Sequence, residues 1–315
     1  MNNDKRDTFV DIAKGIGMLM IVRIHTEVFN TISCPYPIIA VPLFFFLSGF
    51  YDNTTKPLKE WLPKTFQSLF LVGVIWVLIS FTYLSLLSYI KDHTIFVDFS
   101  WENPVIAGGV EWFLFALFLA KLGMWIIHRS RLPHWLVLTI LIGLGGGMSR
   151  IDLPLLIDEG IAALPFYYAG FICYPYIKKH LTYLKWPALF GMVCIFLMQM
   201  NWFPYVLVPY SDKPIIMYPV FFLMTLLSFM SILWLGNLLQ HQEWLTKFGR
   251  QTLGVLVIHP LISHTIAVSL NRLFEVGSTI WMVSFLLAYI MICLVSYYLT
   301  IYINKHISFL LGARR

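Results

Sequence analysis

Residues 11–29 read DIAKGIGMLMIVRIHTEVF. The run is apolar enough to lie in a bilayer. It lacks the short apolar core and small-residue cleavage site of a secretory signal, because it continues past full spanning length. It therefore reads as a first transmembrane helix, and the composition of the whole chain agrees. Of 315 residues, 59% are hydrophobic and 12% charged, where soluble domains carry about 25% charged residues. At about 20 residues per span there is room for roughly ten helices and little else. The expected fold is a single all-α integral membrane domain over residues 1–315, embedded in a lipid bilayer.

Apolar runs of spanning length fall at 10–30, 38–52, 66–90, 112–128, 133–149, 160–178, 186–204, 215–239, 252–271 and 279–303. The second is short and follows Cys34-Pro-Tyr-Pro, which suits oblique entry; the fifth ends in GLGGG, which favours a loosened helix end. With ten spans and both termini cytoplasmic, fifteen Lys and Arg fall on the inside: Lys5, Arg6, Lys56, Lys59, Lys64, Arg129, Arg131, Lys178, Lys179, Lys185, Lys247, Arg250, Lys305, Arg314 and Arg315. Only four fall outside, Lys91, Arg150, Lys213 and Arg272. That asymmetry follows the positive-inside rule, and an odd number of spans would spoil it. The expected location is a cell membrane, either a bacterial inner membrane or a plasma membrane.

The net charge of +6 does not point to nucleic acid, because the basic residues sit in short clusters between apolar runs. Cys34, Cys173, Cys194 and Cys293 are scattered singly, so neither a disulfide framework nor a metal site is expected. There is no internal repeat and no inverted duplication of the transporter kind.

Ionisable side chains inside a span are costly unless paired or hydrated, which makes them functional candidates. The first run carries four: Lys14, Arg23, His25 and Glu27. Lys14 and His25 are eleven positions apart, about three full turns plus 20°, so they share a face and stand about 16 Å apart along the axis. That suits a donor whose anionic end meets Lys14 while its reactive end lies near His25. The competing readings are a snorkelling lysine at the interface and a histidine hydrogen-bonded within the bundle. Arg23 lies on another face, four positions from Glu27, and the two are expected to pair structurally. Asp11 is expected to pair with Lys14 or another group at that end.

Asp11-Ile-Ala-Lys14-Gly-Ile-Gly, then His25, then Pro42-Leu-Phe-Phe-Phe-Leu-Ser48-Gly49-Phe50, resembles the opening of the membrane-bound acyltransferase-3 family. Glu111-Trp112-Phe113-Leu114 resembles its WFL-type motif, and Phe248-Gly249-Arg-Gln-Thr252-Leu-Gly254-Val-Leu-Val-Ile-His259 its late helix ending in histidine. The resemblance implies a ten-helix O-acetyltransferase that passes an acyl group, usually acetyl, from acyl-CoA (acetyl-CoA) to a hydroxyl of a cell-surface or lipid-linked glycan. It also implies that Lys14 contacts the coenzyme and His25 acts in catalysis. Two departures stand out: many members carry arginine at the Lys14 position, and Arg23 occupies a position expected to be apolar.

Transfer to an alcohol needs a base, and neutral histidine suits it near pH 7. Glu111 is the first candidate to orient His25, against a plain interfacial carboxylate. His259 and Lys121 are candidates for the donor channel, against internal hydrogen bonding or pairing. Ser48, Trp112 and Arg150 are candidates for substrate contact, together with Trp101, Glu102, Asp152, Asp158 and Glu159, against helix packing, an aromatic belt and solvated loops. The alternative function is a polytopic transporter of a small polar or anionic solute whose path is lined by the intramembrane charges.

Overall fold

The computed structural model describes residues 7–26, 39–93, 109–148, 151, 153–199 and 217–312. These residues form helices and, among them, no strand. In chain order the helices are α1 (Thr8–Ile24), α2 (Ala40–Gly49), α3 (Leu58–Thr65), α4 (Val72–Asp92), α5 (Trp112–Ile127), α6 (His134–Met148), α7 (Ile157–Lys179), α8 (Lys185–Gln199), α9 (Tyr218–Leu238), α10 (Glu243–Arg250), α11 (Thr252–Leu273) and α12 (Thr279–His306). Each of the ten apolar runs carries a helix. Five helical rods, Leu58–Ile90, Pro154–Lys179, Tyr218–Leu238, Thr252–Leu273 and Thr279–His306, are long and apolar enough to cross a membrane. Ala40–Gly49, Trp112–Ile127, His134–Met148 and Leu181–Leu197 are shorter apolar helices.

The rod Leu58–Ile90 begins eight residues before the apolar run at 66–90. Its first turns, LKEWLPKT, bury only Trp61 and Thr65 and are otherwise polar, so hydropathy does not mark them. Pro63 lies inside this stretch and removes one main-chain donor. A π-helical segment, Phe66–Leu71, follows and leads into α4. In the fifth run the glycines do not end the helix: α6 continues through Gly145 to Met148. Gly145 packs against the Tyr218 ring, whose hydroxyl donates to the Ala162 carbonyl, so α6, α7 and α9 are held at one point.

In lipid, helices associate through close packing rather than through a hydrophobic drive, so small residues mark the contacts. Gly49 of α2 meets the Tyr167 carbonyl of α7, and Gly170 of α7 meets the Phe46 carbonyl of α2. A Cβ at either position would fall on backbone. Gly249 of α10 likewise meets the Asp11 carbonyl of α1. Around the α2–α7 contact Phe46, Phe166, Phe222 and Phe229 interlock, with ring centroids 5.0 Å apart for Phe46–Phe229 and 5.1 Å for Phe166–Phe222.

The ionisable helix lies in the middle. α1 is surrounded by α2, α9, α10, α11 and α12, and ten of its 17 residues are buried. α12, by contrast, turns Leu286, Leu287, Ile290 and Leu294 outward, as a lipid-facing helix does. The residues with unusual chemistry therefore sit on an element largely shielded from lipid.

Candidate active site

At its N-terminal end α1 presents Asp7, Asp11 and Lys14. The early acidic Asp11 suits the positive end of the helix dipole. The Tyr174 hydroxyl and the Lys178 Nζ of α7 both donate to Asp7, the lysine at 3.1–3.2 Å. Arg250, in the last turn of α10, donates from Nε to Asp11 Oδ2 at 2.9 Å. Asp11 is 1% exposed and Arg250 46%, so the guanidinium faces outward while the carboxylate is sealed. Lys14 Nζ lies 5.5 Å from the centre of the Tyr51 ring. Lys14, Lys178 and Arg250 gather three cations at this end, against the carboxylates of Asp7 and Asp11.

Next to Tyr51 is a charge network that the sequence did not reveal. The Asp52 side chain is fully buried in the corner after α2. It accepts from Tyr167 OH at 2.9 Å, Thr54 N at 3.2 Å and Thr54 Oγ1 at 2.9–3.1 Å, and pairs with His128 Nε2 at 2.9 Å. Lys121 donates to the same Tyr167 hydroxyl at 3.0 Å. Burial alone would raise the Asp52 pKa. Hydrogen bonds from His128, Thr54 and Tyr167, with the Lys121 charge, outweigh it and hold the carboxyl below its ordinary value. Lys121 and His128 were readable in one respect: they are seven positions apart, two helical turns, and so lie on one face of α5.

The other end of α1 stops at His25. Thr26 closes the last turn, its Oγ1 donating to the Val22 carbonyl at 2.9 Å and its N–H to the Arg23 carbonyl at 3.1 Å. The Ser263 hydroxyl of α11 donates to the His25 carbonyl, so the helix end is satisfied from within and from a neighbour. His25 thus stands just past the helix rather than inside it. Its ring meets the ring of His259 edge-on, centroids 5.0 Å apart at 69°. His259 is completely buried, and its Nδ1 lies 2.9 Å from the Val255 carbonyl. A carbonyl only accepts, so Nδ1 carries the proton and Nε2 the lone pair. That Nε2 is buried and has no hydrogen-bond partner among the described residues.

Glu111, at the start of α5, is 2% exposed. Its Oε1 accepts from Ser80 Oγ of α4 at 2.6 Å, and its Oε2 is buried without a partner among the described residues. One turn along α4, the Tyr83 hydroxyl bonds Thr265 Oγ1 and the Leu261 carbonyl, two residues beyond His259. α4 thus braces the Glu111 end of α5 and the His259 region of α11. Of the other expected residues, Ser48 turns its hydroxyl back to the Phe44 carbonyl at 2.7 Å and Trp112 is half-buried against Phe113. Arg150 lies outside the described residues, as do Trp101, Glu102, Asp152 and the Glu27 expected to pair with Arg23. Among the described residues no group of His, Cys, Asp and Glu suits a metal ion.

The model of the acyltransferase-3 family, described as an acyltransferase domain, matches residues 7–301. No curated protein and no solved structure matches the chain.

Proposed function

The chain belongs to the acyltransferase-3 family and is a multi-pass membrane acyltransferase, and on that footing we propose that it moves an acyl group, acetyl first among them, from acyl-CoA on the cytoplasmic side to a glycan hydroxyl. The glycan is at the cell surface or lipid-linked. The observation that carries this reading is the central helix, with Lys14 at one end and His25 facing a buried histidine at the other. The family match runs across both.

In this reading the coenzyme's phosphates approach the N-terminal end of α1, where Lys14, Lys178 and Arg250 outnumber the two carboxylates. Lysine meets phosphate as a point charge rather than a planar fork, so it attracts strongly and orients weakly. The pantetheine arm then runs alongside α1 toward His25. Neutral His25 takes the proton of the attacking hydroxyl as its oxygen joins the acyl carbonyl carbon. The carbon–sulfur bond breaks, and the same proton passes to the departing thiolate, giving an ester and free thiol. Its neutral imidazole has one nitrogen with a free lone pair, which suits it to receive and return that proton.

The test is label transfer. Reconstituted protein given radiolabelled acetyl-CoA and membrane glycolipid is expected to form alkali-labile labelled ester, and His25→Ala to abolish it. Unchanged transfer by His25→Ala would remove His25 from the chemistry, and absence of any transfer by the wild type would remove the reading.

A further inference from the structure

Ser263 and His259 lie one turn apart on α11, and both engage His25. Ser263 holds its main-chain carbonyl and His259 faces its ring. One helix therefore controls both where His25 stands and what its imidazole meets. His259 is itself constrained: with Nδ1–H given to the Val255 carbonyl, Nε2 is an acceptor only. That acceptor is completely buried and unfilled among the described residues. Leaving a buried acceptor empty is costly, so its retention in a core position calls for a partner that arrives later.

We infer that His259 is a positioning residue for His25, accepting the His25 N–H at Nε2 so that the opposite nitrogen of His25 carries the lone pair. The inference rests on His25 being the base proposed above. Ring centroids 5.0 Å apart leave room for one nitrogen of each ring, when the two are turned toward each other, to lie at a hydrogen-bond distance of about 2.7–3.2 Å. His259 then does what a carboxylate does in a histidine–acid pair: it selects the tautomer of the base. It does so without a negative charge, which suits a site closed off from water. Glu111 Oε1 takes the Ser80 hydroxyl and its Oε2 has no partner among the described residues, whereas the ring next to His25 is that of His259. The proton inventory is unchanged: the hydroxyl proton goes to the free nitrogen of His25 and then to the thiolate, while the proton shared with His259 stays in place.

Membranes from cells expressing each variant supply the acceptor, and labelled acetyl-CoA is the donor probe. His259→Leu is expected to lower turnover about 100-fold, with the KM for acetyl-CoA within twofold of wild type. His259→Gln, whose side-chain oxygen can accept near the Nε2 position, is expected to recover to within about tenfold of wild type. Wild-type turnover in His259→Leu would overturn the inference. So would a Gln variant no better than Leu, which would mean packing alone matters. A raised donor KM at unchanged turnover would also overturn it and move His259 to the donor channel. His25→Ala run in parallel separates the two readings. If it is inactive while His259→Leu is normal, only the positioning role falls; if it remains active, the base assignment itself falls.

Discussion

The two ends of α1 are built on opposite plans. At the N-terminal end the carboxylates are engaged, Asp7 by Tyr174 and Lys178 and Asp11 by Arg250, and in the neighbouring network Asp52 is engaged by Tyr167, Thr54 and His128. At the histidine end, His259 Nε2 and Glu111 Oε2 are buried acceptors without donors among the described residues. A satisfied buried network holds geometry, because removing one member strands the others. An unsatisfied one stores a demand that a ligand's hydroxyl or N–H can meet. The contrast assigns shape-keeping to the first end and chemistry to the second, while the excess of cations at the first still offers a place for an anionic donor.

The largest expected effect is on turnover. His25→Ala should reduce acyl transfer by about a thousandfold or more, measured as alkali-labile ester formed from labelled acetyl-CoA, with the thermal midpoint in detergent little changed. The converse pattern belongs to the other end. Asp52→Ala should destabilise the fold by about 3–5 kcal/mol, because it leaves Lys121 and Tyr167 buried without their carboxylate; thermal unfolding in detergent reads it. If His25→Ala unfolded the protein and Asp52→Ala only slowed it, the division between the two ends would be reversed.

Acid should act through the same carboxylate. Its pKa is lower in the folded protein than in the unfolded chain, so its stabilising contribution is complete above the ordinary carboxylate value. That contribution is lost as pH falls through the depressed one. Asp52→Asn should therefore flatten the decline in thermal midpoint on acidification, and an equally steep decline in the variant would dissociate Asp52 from it.

Smaller still, Lys14→Ala should raise the KM for acetyl-CoA by about 10- to 100-fold, the loss of one charge-assisted contact, with modest change in kcat. A loss confined to kcat would place Lys14 nearer the chemistry. At the bottom of the scale, Lys247 pairs with Glu243 on the exposed face of α10 at 2.9 Å. Lys247→Ala should leave the thermal midpoint unchanged within measurement error, which makes it the control for both ends.

Much of this was legible in the sequence, and the part that was not has a common cause. Apolar runs gave the positions of the ten longer helices, since spanning length and hydropathy are local properties. The placement of Lys14 and His25 toward opposite ends of α1 likewise follows from their spacing along the sequence. Arg250 meeting Asp11, Asp52 meeting His128, and Ser263 meeting the His25 carbonyl are contacts across 239, 76 and 238 positions. Local spacing says nothing about such contacts. The polar opening of α3 was missed for another reason: LKEWLPKT carries too much charge to register as apolar, although it is helical. His259 was found as a histidine at the end of a motif, but its fixed tautomer needed the Val255 carbonyl in view.

Acyl transfer by this chain and the role of His25 as its base stand or fall on one preparation. Purified protein reconstituted with membrane glycolipid and labelled acetyl-CoA tests both at once. Labelled ester is expected from the wild type, with thiol released in equal amount, and background label from His25→Ala of equal thermal stability. Equal labelling by the two proteins would contradict it.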